Sequence, residues 1–157
     1  MNRRLFTTFA VLFVSVSAVA AESGVEFQQL SFGRLLILDN SAVRSCTITA
    51  LGSETCDGSG VALLNPGQVG VYRLSGFDPN TQVSAIIDQN TPLANTQDGA
   101  LLDVSNFTFD PPIDITPQTP DASGKMTLKI GAMLSTRAGV TYPNVPFHGT
   151  YRLTITF

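Results

Sequence analysis

Apolar residues recur at every second position along most of this chain, and no stretch keeps the i, i+3, i+4, i+7 spacing of an amphipathic helix for three turns. In "KMTLKIGAML" (Lys125 to Leu134), Met126, Leu128, Ile130 and Ala132 share one face, while Lys125, Thr127 and Lys129 share the other. "GTYRLTITF" (Gly149 to Phe157) repeats the pattern, with Tyr151, Leu153, Ile155 and Phe157 opposite Arg152, Thr154 and Thr156. A slip of one residue would bury an arginine or a lysine, so register is well specified. The same reading predicts strands over Leu30 to Leu38, Arg44 to Leu51, Gly60 to Leu64, Gly70 to Gly76, Gln82 to Asp88 and Leu101 to Phe109. Between them lie turn clusters such as "LNPGQ", "FDPNTQ" and "TPDASGK". Short strands at regular spacing, each with one wet face, predict an all-β, antiparallel β-sandwich. "PPIDITPQTPDASG" (Pro111 to Gly124) carries four prolines and reads as an extended loop or edge segment. No internal repeat and no linker divides the chain further.

The opening "MNRRLFTTFAVLFVSVSAVAAES" departs from this pattern. Two arginines precede an apolar run from Leu5 to about Val16, and small residues follow at Ala18, Ala20 and Ala21. That layout predicts a secretory signal peptide over residues 1–20, with cleavage after Ala20 or Ala21. The run is shorter than a membrane span, and Thr7, Thr8, Ser15 and Ser17 dilute it. The expected mature protein is an extension over 21–29 followed by a domain over 30–157, exported through the inner membrane and not inserted in a bilayer.

Export changes the charge and the redox chemistry. Cleavage removes Arg3 and Arg4 and no acidic residue, taking the formal charge from −3 to about −5. An acidic surface disfavours nucleic acid and anionic membranes as partners. Only 13% of residues are charged, which suits packing of copies against one another. Cys46 and Cys56 are the only cysteines, and in an oxidising compartment they are expected to form a disulfide.

Candidate chemistry is sparse. His148 is the single histidine, and no G-x-S-x-G elbow leads into a helix, so a serine triad is not expected. "DGSGV" (Asp57 to Val61) reads as a turn. Asp78, Asp88, Asp98, Asp103, Asp110, Asp114 and Asp121 are scattered without the spacing of a calcium loop. The Gly-rich stretches lack the strand, Lys-Ser/Thr and helix context of a phosphate loop. "NFT" at Asn106 matches a glycosylation acceptor but falls inside a predicted strand. No catalytic residue, metal or cofactor is assigned, and an enzyme is not expected.

The two ends of the mature chain carry more information. An unpaired strand edge invites another chain to pair with it, and charges, prolines or bulges usually blunt such edges. "GTYRLTITF" is long, alternating and lightly charged, whereas "AESGVEFQQLSFG" offers a polar lead and then Val25 and Phe27 in alternation. A free N-terminal strand beside an open edge is the arrangement for donor-strand complementation, in which an extended segment of one subunit completes the sheet of the next. Because donor and acceptor surfaces differ, the contact repeats head to tail.

"LSFGRLLI", "YRLSGFDPNTQVSAII", "GKMTLKIGAML" and "GTYRLTITF" together resemble a family of small secreted bacterial β domains of uncharacterised function. That family is similar to the pilin subunits of chaperone-usher systems, particularly the archaic group containing the spore-coat-protein-U-like pilins. The resemblance implies an immunoglobulin-like sandwich lacking one strand, held by a periplasmic chaperone, polymerised with copies of itself at an outer-membrane usher, and ending as a surface fibre in adhesion or biofilm. It places Val25, Phe27 and Leu30 in the donor strand. Tyr151, Leu153, Ile155 and Phe157 fall in the acceptor or chaperone-pairing strand, with Phe157 supplying the terminal carboxylate. Cys46 and Cys56 correspond only loosely to pilin disulfides. Gln28 and Gln29 interrupt the donor pattern, and Pro143 and Pro146 stand close to the last strand. The alternative expectation is a self-contained secreted binding module of the periplasm or cell surface, presenting loop aromatics such as Phe77, Tyr142 and Phe147.

Overall fold

In the computed structural model, residues 6–12, 15–16, 23–88, 91–95 and 99–157 are described, with side chains from residue 27 onward. The expected cleavage site, at residues 20 and 21, lies outside them. Among the described residues the regular structure is fourteen strands. They are β1 (Phe6–Leu12), β2 (Ser15–Val16), β3 (Ser23–Gln28), β4 (Ser31–Ile37), β5 (Ser45–Ile48), β6 (Glu54–Cys56) and β7 (Val61–Asn65). The second half holds β8 (Gly70–Ser75), β9 (Ser84–Ile87), β10 (Thr91–Ala94), β11 (Leu101–Asp110), β12 (Lys125–Ser135), β13 (Pro146–Gly149) and β14 (Arg152–Thr156).

The larger sheet runs β3-β8-β12-β11-β10-β13-β1-β4-β7, with β5 and β6 branching from β12, and the smaller runs β2-β14-β9. The sheets curl into half a barrel. Every strand pair is antiparallel except β1 with β13 and β2 with β14. The all-β, antiparallel expectation therefore holds, and each of the eight predicted segments contains a strand.

Period-two burial explains why these segments are strands. In β12, Leu128, Ile130, Ala132 and Leu134 are buried while Lys125, Thr127 and Lys129 are exposed, and β8 answers with buried Tyr72 and Leu74. Leu128 lies opposite Tyr72 in the ladder. Across the core the Tyr72 and Tyr151 hydroxyls meet at 2.9 Å, a buried pair that satisfies both polar tips. Gly33 takes a positive φ of 65°, and a Cβ there would stand 2.2 Å from the Asn65 carbonyl oxygen, so only glycine allows the β4–β7 bulge.

Loops are pinned by hydrogen bonds rather than by helices. The Tyr142 hydroxyl accepts from the Arg137 amide at 2.7 Å and donates to the Leu101 carbonyl at 3.1 Å. Burial pushes its pKa upward. Arg137 forks onto Asp103 at 2.8 and 2.7 Å, which holds that carboxyl below its usual range. The Pro-rich stretch is indeed mostly loop, with an isolated bridge from Gln118 to Val83 beside β9 and hydrogen bonds between Asp121 and Lys125 at the start of β12.

Cys46 and Cys56 stand opposite each other in the β5–β6 ladder and are joined by a disulfide. Replacing both with serine is expected to cost about 2–3 kcal/mol, the closure entropy of a loop this short. The urea midpoint should fall by a similar amount in wild type plus reductant and should not move further when reductant is added to the double variant.

One expectation needs correction. "GTYRLTITF" is not a single strand: Gly149 closes β13 in the larger sheet and Arg152 opens β14 in the smaller one, so the chain changes sheets at Thr150 and Tyr151. Buried Tyr151, hydrogen-bonded to Tyr72 and packed 5.1 Å from the Phe107 ring centroid, fixes that bend.

Candidate functional site

β4 and β13 lie near one end of the larger sheet, and neither pairs with the other. What links them is β1. On one side β1 runs antiparallel to β4, with Phe6 opposite Ile37, Thr8 opposite Leu35 and Val11 opposite Ser31. On the other it runs parallel to β13, with Phe9 opposite Pro146, Ala10 opposite Phe147 and Leu12 opposite Gly149. Beyond the bend, β2 continues along β14 with Ser15 opposite Arg152 and Val16 opposite Leu153. The offset in residue number is the same at Phe9–Pro146 as at Val16–Leu153, so one parallel register follows the C-terminal segment through both sheets.

Without β1, β4 and β13 would each present an unpaired row of N–H and C=O groups to the same gap; β2 has one partner, β14, and without it that edge of the smaller sheet would be open as well. A gap one strand wide spans about 10 Å, two strand spacings. Its walls are apolar on the core side: Leu35, Phe147 and Leu153 are buried, the last two completely. Its polar neighbours are few, with Arg34 and Arg152 exposed and His148 partly buried on β13. Arg34 lies opposite Phe9, and His148 opposite Val11 and Ala94. Each side carries a single arginine, Arg34 on β4 and Arg152 on β14, a light charge for edges of this length.

The acceptor residues named from sequence divide along this feature. Tyr151 and Leu153 are buried, Ile155 is partly buried, and Phe157 is 51% exposed with its ring edge-on to Phe77 at 5.6 Å. Of these, Leu153 lines the slot. Ile155 pairs instead with Ala85 of β9 on the opposite side of β14.

The donor residues lie elsewhere. Val25 is opposite Arg73 in the β3–β8 ladder, at the far end of the larger sheet from the slot. Phe27 is 60% exposed, and the Arg73 guanidinium stacks 3.8 Å above its ring. These two residues border a shallow depression of about 620 Å³ that also involves Asp121, Lys125 and Met126. Leu30 is fully buried in the core of its own chain, near Tyr151 across Gly70.

Charge clusters away from the slot serve the loops. Arg44 bridges Asp39, Asp57 and the Ser59 hydroxyl. Hydrogen bonds from Ser41 hold the Asp39 carboxyl low, and those from Ser59 and Arg44 hold Asp57 low. Among the described residues no group of three or more His, Cys, Asp or Glu side chains is placed to hold a metal. No helix among them is long and apolar enough to cross a membrane. Phe77, Tyr142 and Phe147, the loop aromatics of the binding-module expectation, are buried core residues and present no exposed aromatic cluster.

Sequence reasoning missed β13 as a slot wall, although its signal was present. Val145 and Phe147 extend the odd-numbered apolar series that continues through Tyr151, Leu153 and Ile155. A family model described as "Domain of unknown function (DUF4402)" matches residues 23–157. No curated protein and no solved structure matches the chain.

Proposed function

This chain belongs to the DUF4402 family, and on that premise we propose that it is an exported, pilin-like structural subunit of a bacterial surface fibre. In this reading the mature domain is an immunoglobulin-like sandwich one strand short. A periplasmic chaperone fills the gap first, and at an outer-membrane usher the N-terminal segment of another copy replaces it. The fibre then supports adhesion or biofilm.

One observation carries the reading. The strand that closes the sheet between β4 and β13 comes from residues 6–12, and the one that covers the edge of β14 from 15–16, both inside the stretch that the sequence predicts to be removed on export. Removal leaves an apolar, one-strand slot with pairing groups on both walls, the geometry in which an added strand gains main-chain hydrogen bonds and side-chain pockets together. For Ser23–Gln28 to act as donor it must leave β8, so the exchange trades an edge position for a central one.

A second reading has its own support: β3 is already paired within its chain and Phe27 is held by Arg73, as in a self-contained module. The two separate in one experiment. Mature chain 21–157, secreted to a periplasm, should form SDS-resistant multimers visible by negative stain and size-exclusion chromatography, whereas chain 30–157 should not. Two compact monomers would overturn the fibre reading in favour of the module.

A further inference from the structure

The filler of the slot is itself informative, because it belongs to the same chain and enters in a defined register. β1 makes ladder pairs on both sides, and β2 prolongs one of them across the sheet change. A chance apolar collapse would bury residues without keeping one offset through a bend in the partner. Directly opposite strand residues share a face. The register sets Thr8 opposite Leu35 and Ala10 opposite Phe147, the buried walls of the slot. The expected cleavage falls between β2 and β3, severing the filler from everything it closes.

We propose that residues 6–12 and 15–16 complement the domain in cis: in the uncleaved chain β1 occupies the slot between β4 and β13, β2 covers the edge of β14, and both keep these edges from a second molecule, and cleavage turns this temporary occupant into one that can be replaced. The proposal rests on the strand-slot reading given above and adds its timing. Assembly competence begins at cleavage, and the precursor is a closed monomer.

The test compares refolded full-length chain 1–157 with its Ala10→Pro variant. Proline at the centre of β1 removes a ladder donor and is tolerated poorly in a strand paired on both sides. Amide exchange in the wild-type monomer should be at least about tenfold slower on β4 and β13 than in the variant, one decade of local opening, with β12 unchanged. On sizing, wild type should be a monomer and the variant should associate. Equal exchange on β4 and β13 in the two proteins would overturn the proposal. If chain 21–157 still formed SDS-resistant multimers in that case, the fibre reading would stand without it. Protection in the full-length chain beside a strictly monomeric 21–157 would do the reverse, keeping self-complementation and removing the fibre.

Discussion

Replacing Phe147 with alanine is expected to destabilise the full-length chain by about 3–5 kcal/mol, the range for deleting a buried phenyl ring. Phe147 has no exposed surface, stands opposite Ala10 in β13 and packs 5.9 Å from the Tyr142 ring centroid. Its partners are held from outside the site, Tyr142 by hydrogen bonds to Arg137 and Leu101, so they cannot easily collapse into the space. Against a typical stability of about 5–15 kcal/mol, that loss is about a fifth or more of the total. The measurement is urea unfolding: the midpoint should fall sharply while the slope stays the same. A midpoint within experimental scatter of wild type would mean that Phe147 is not the floor of the slot.

Gly131→Ala is the second large effect. β12 exchanges one partner for another at this residue, pairing with β8 through Ile130 and with β5 from Ala132 onward. A Cβ on Gly131 would lie 2.2 Å from the Ile48 carbonyl oxygen and 2.4 Å from the Ala50 nitrogen and the Thr49 carbonyl carbon. These are backbone atoms, which cannot rotate aside as a side chain would, and the Cys46–Cys56 disulfide restrains β5 further. The substitution should cost about 3 kcal/mol, at the top of the overpacking range, by pushing β5 off β12. Gly58→Ala is the control, since nothing lies within 4 Å of its Cβ and it should change stability by less than about 0.5 kcal/mol. Thermal unfolding of the two variants side by side decides the matter, and similar midpoints would refute the steric account.

Much of the fold was legible because two-sided packing writes itself into alternation. The faces of β12 and β14 followed from parity alone, with Lys129 and Arg152 outside and Ile130 and Leu153 inside. β10 was not legible: "TPLA" is four residues long and contains Pro92, which argues against a strand between two neighbours. The structure tolerates it because β10 pairs with β13 only at Ala94–His148, leaving Pro92 no partner to serve on that side. β6 is three residues long, too short for any period to show. The slot was hidden for a different reason. Its walls, Ser31–Ile37 and the segment 146–153, are far apart in sequence, and local pattern carries no information about which distant strands fail to touch. The N-terminal segment was legible as an apolar run, and that same run conceals its ability to register as a strand.

The constant offset along the C-terminal segment also has a mechanical consequence. Ladder hydrogen bonds stand across the strands they join, so a pull along an inserted strand strains every bond in the row together, whereas a pull from the side opens them in turn. A strand seated as β1 and β2 are would be gripped at two places, in two different sheets, on either side of Tyr151. Sliding it out would have to break both ladders at once. A joint of this form gives way readily to peeling and hardly at all to lengthwise tension, the direction in which a tethered filament is stretched by flow.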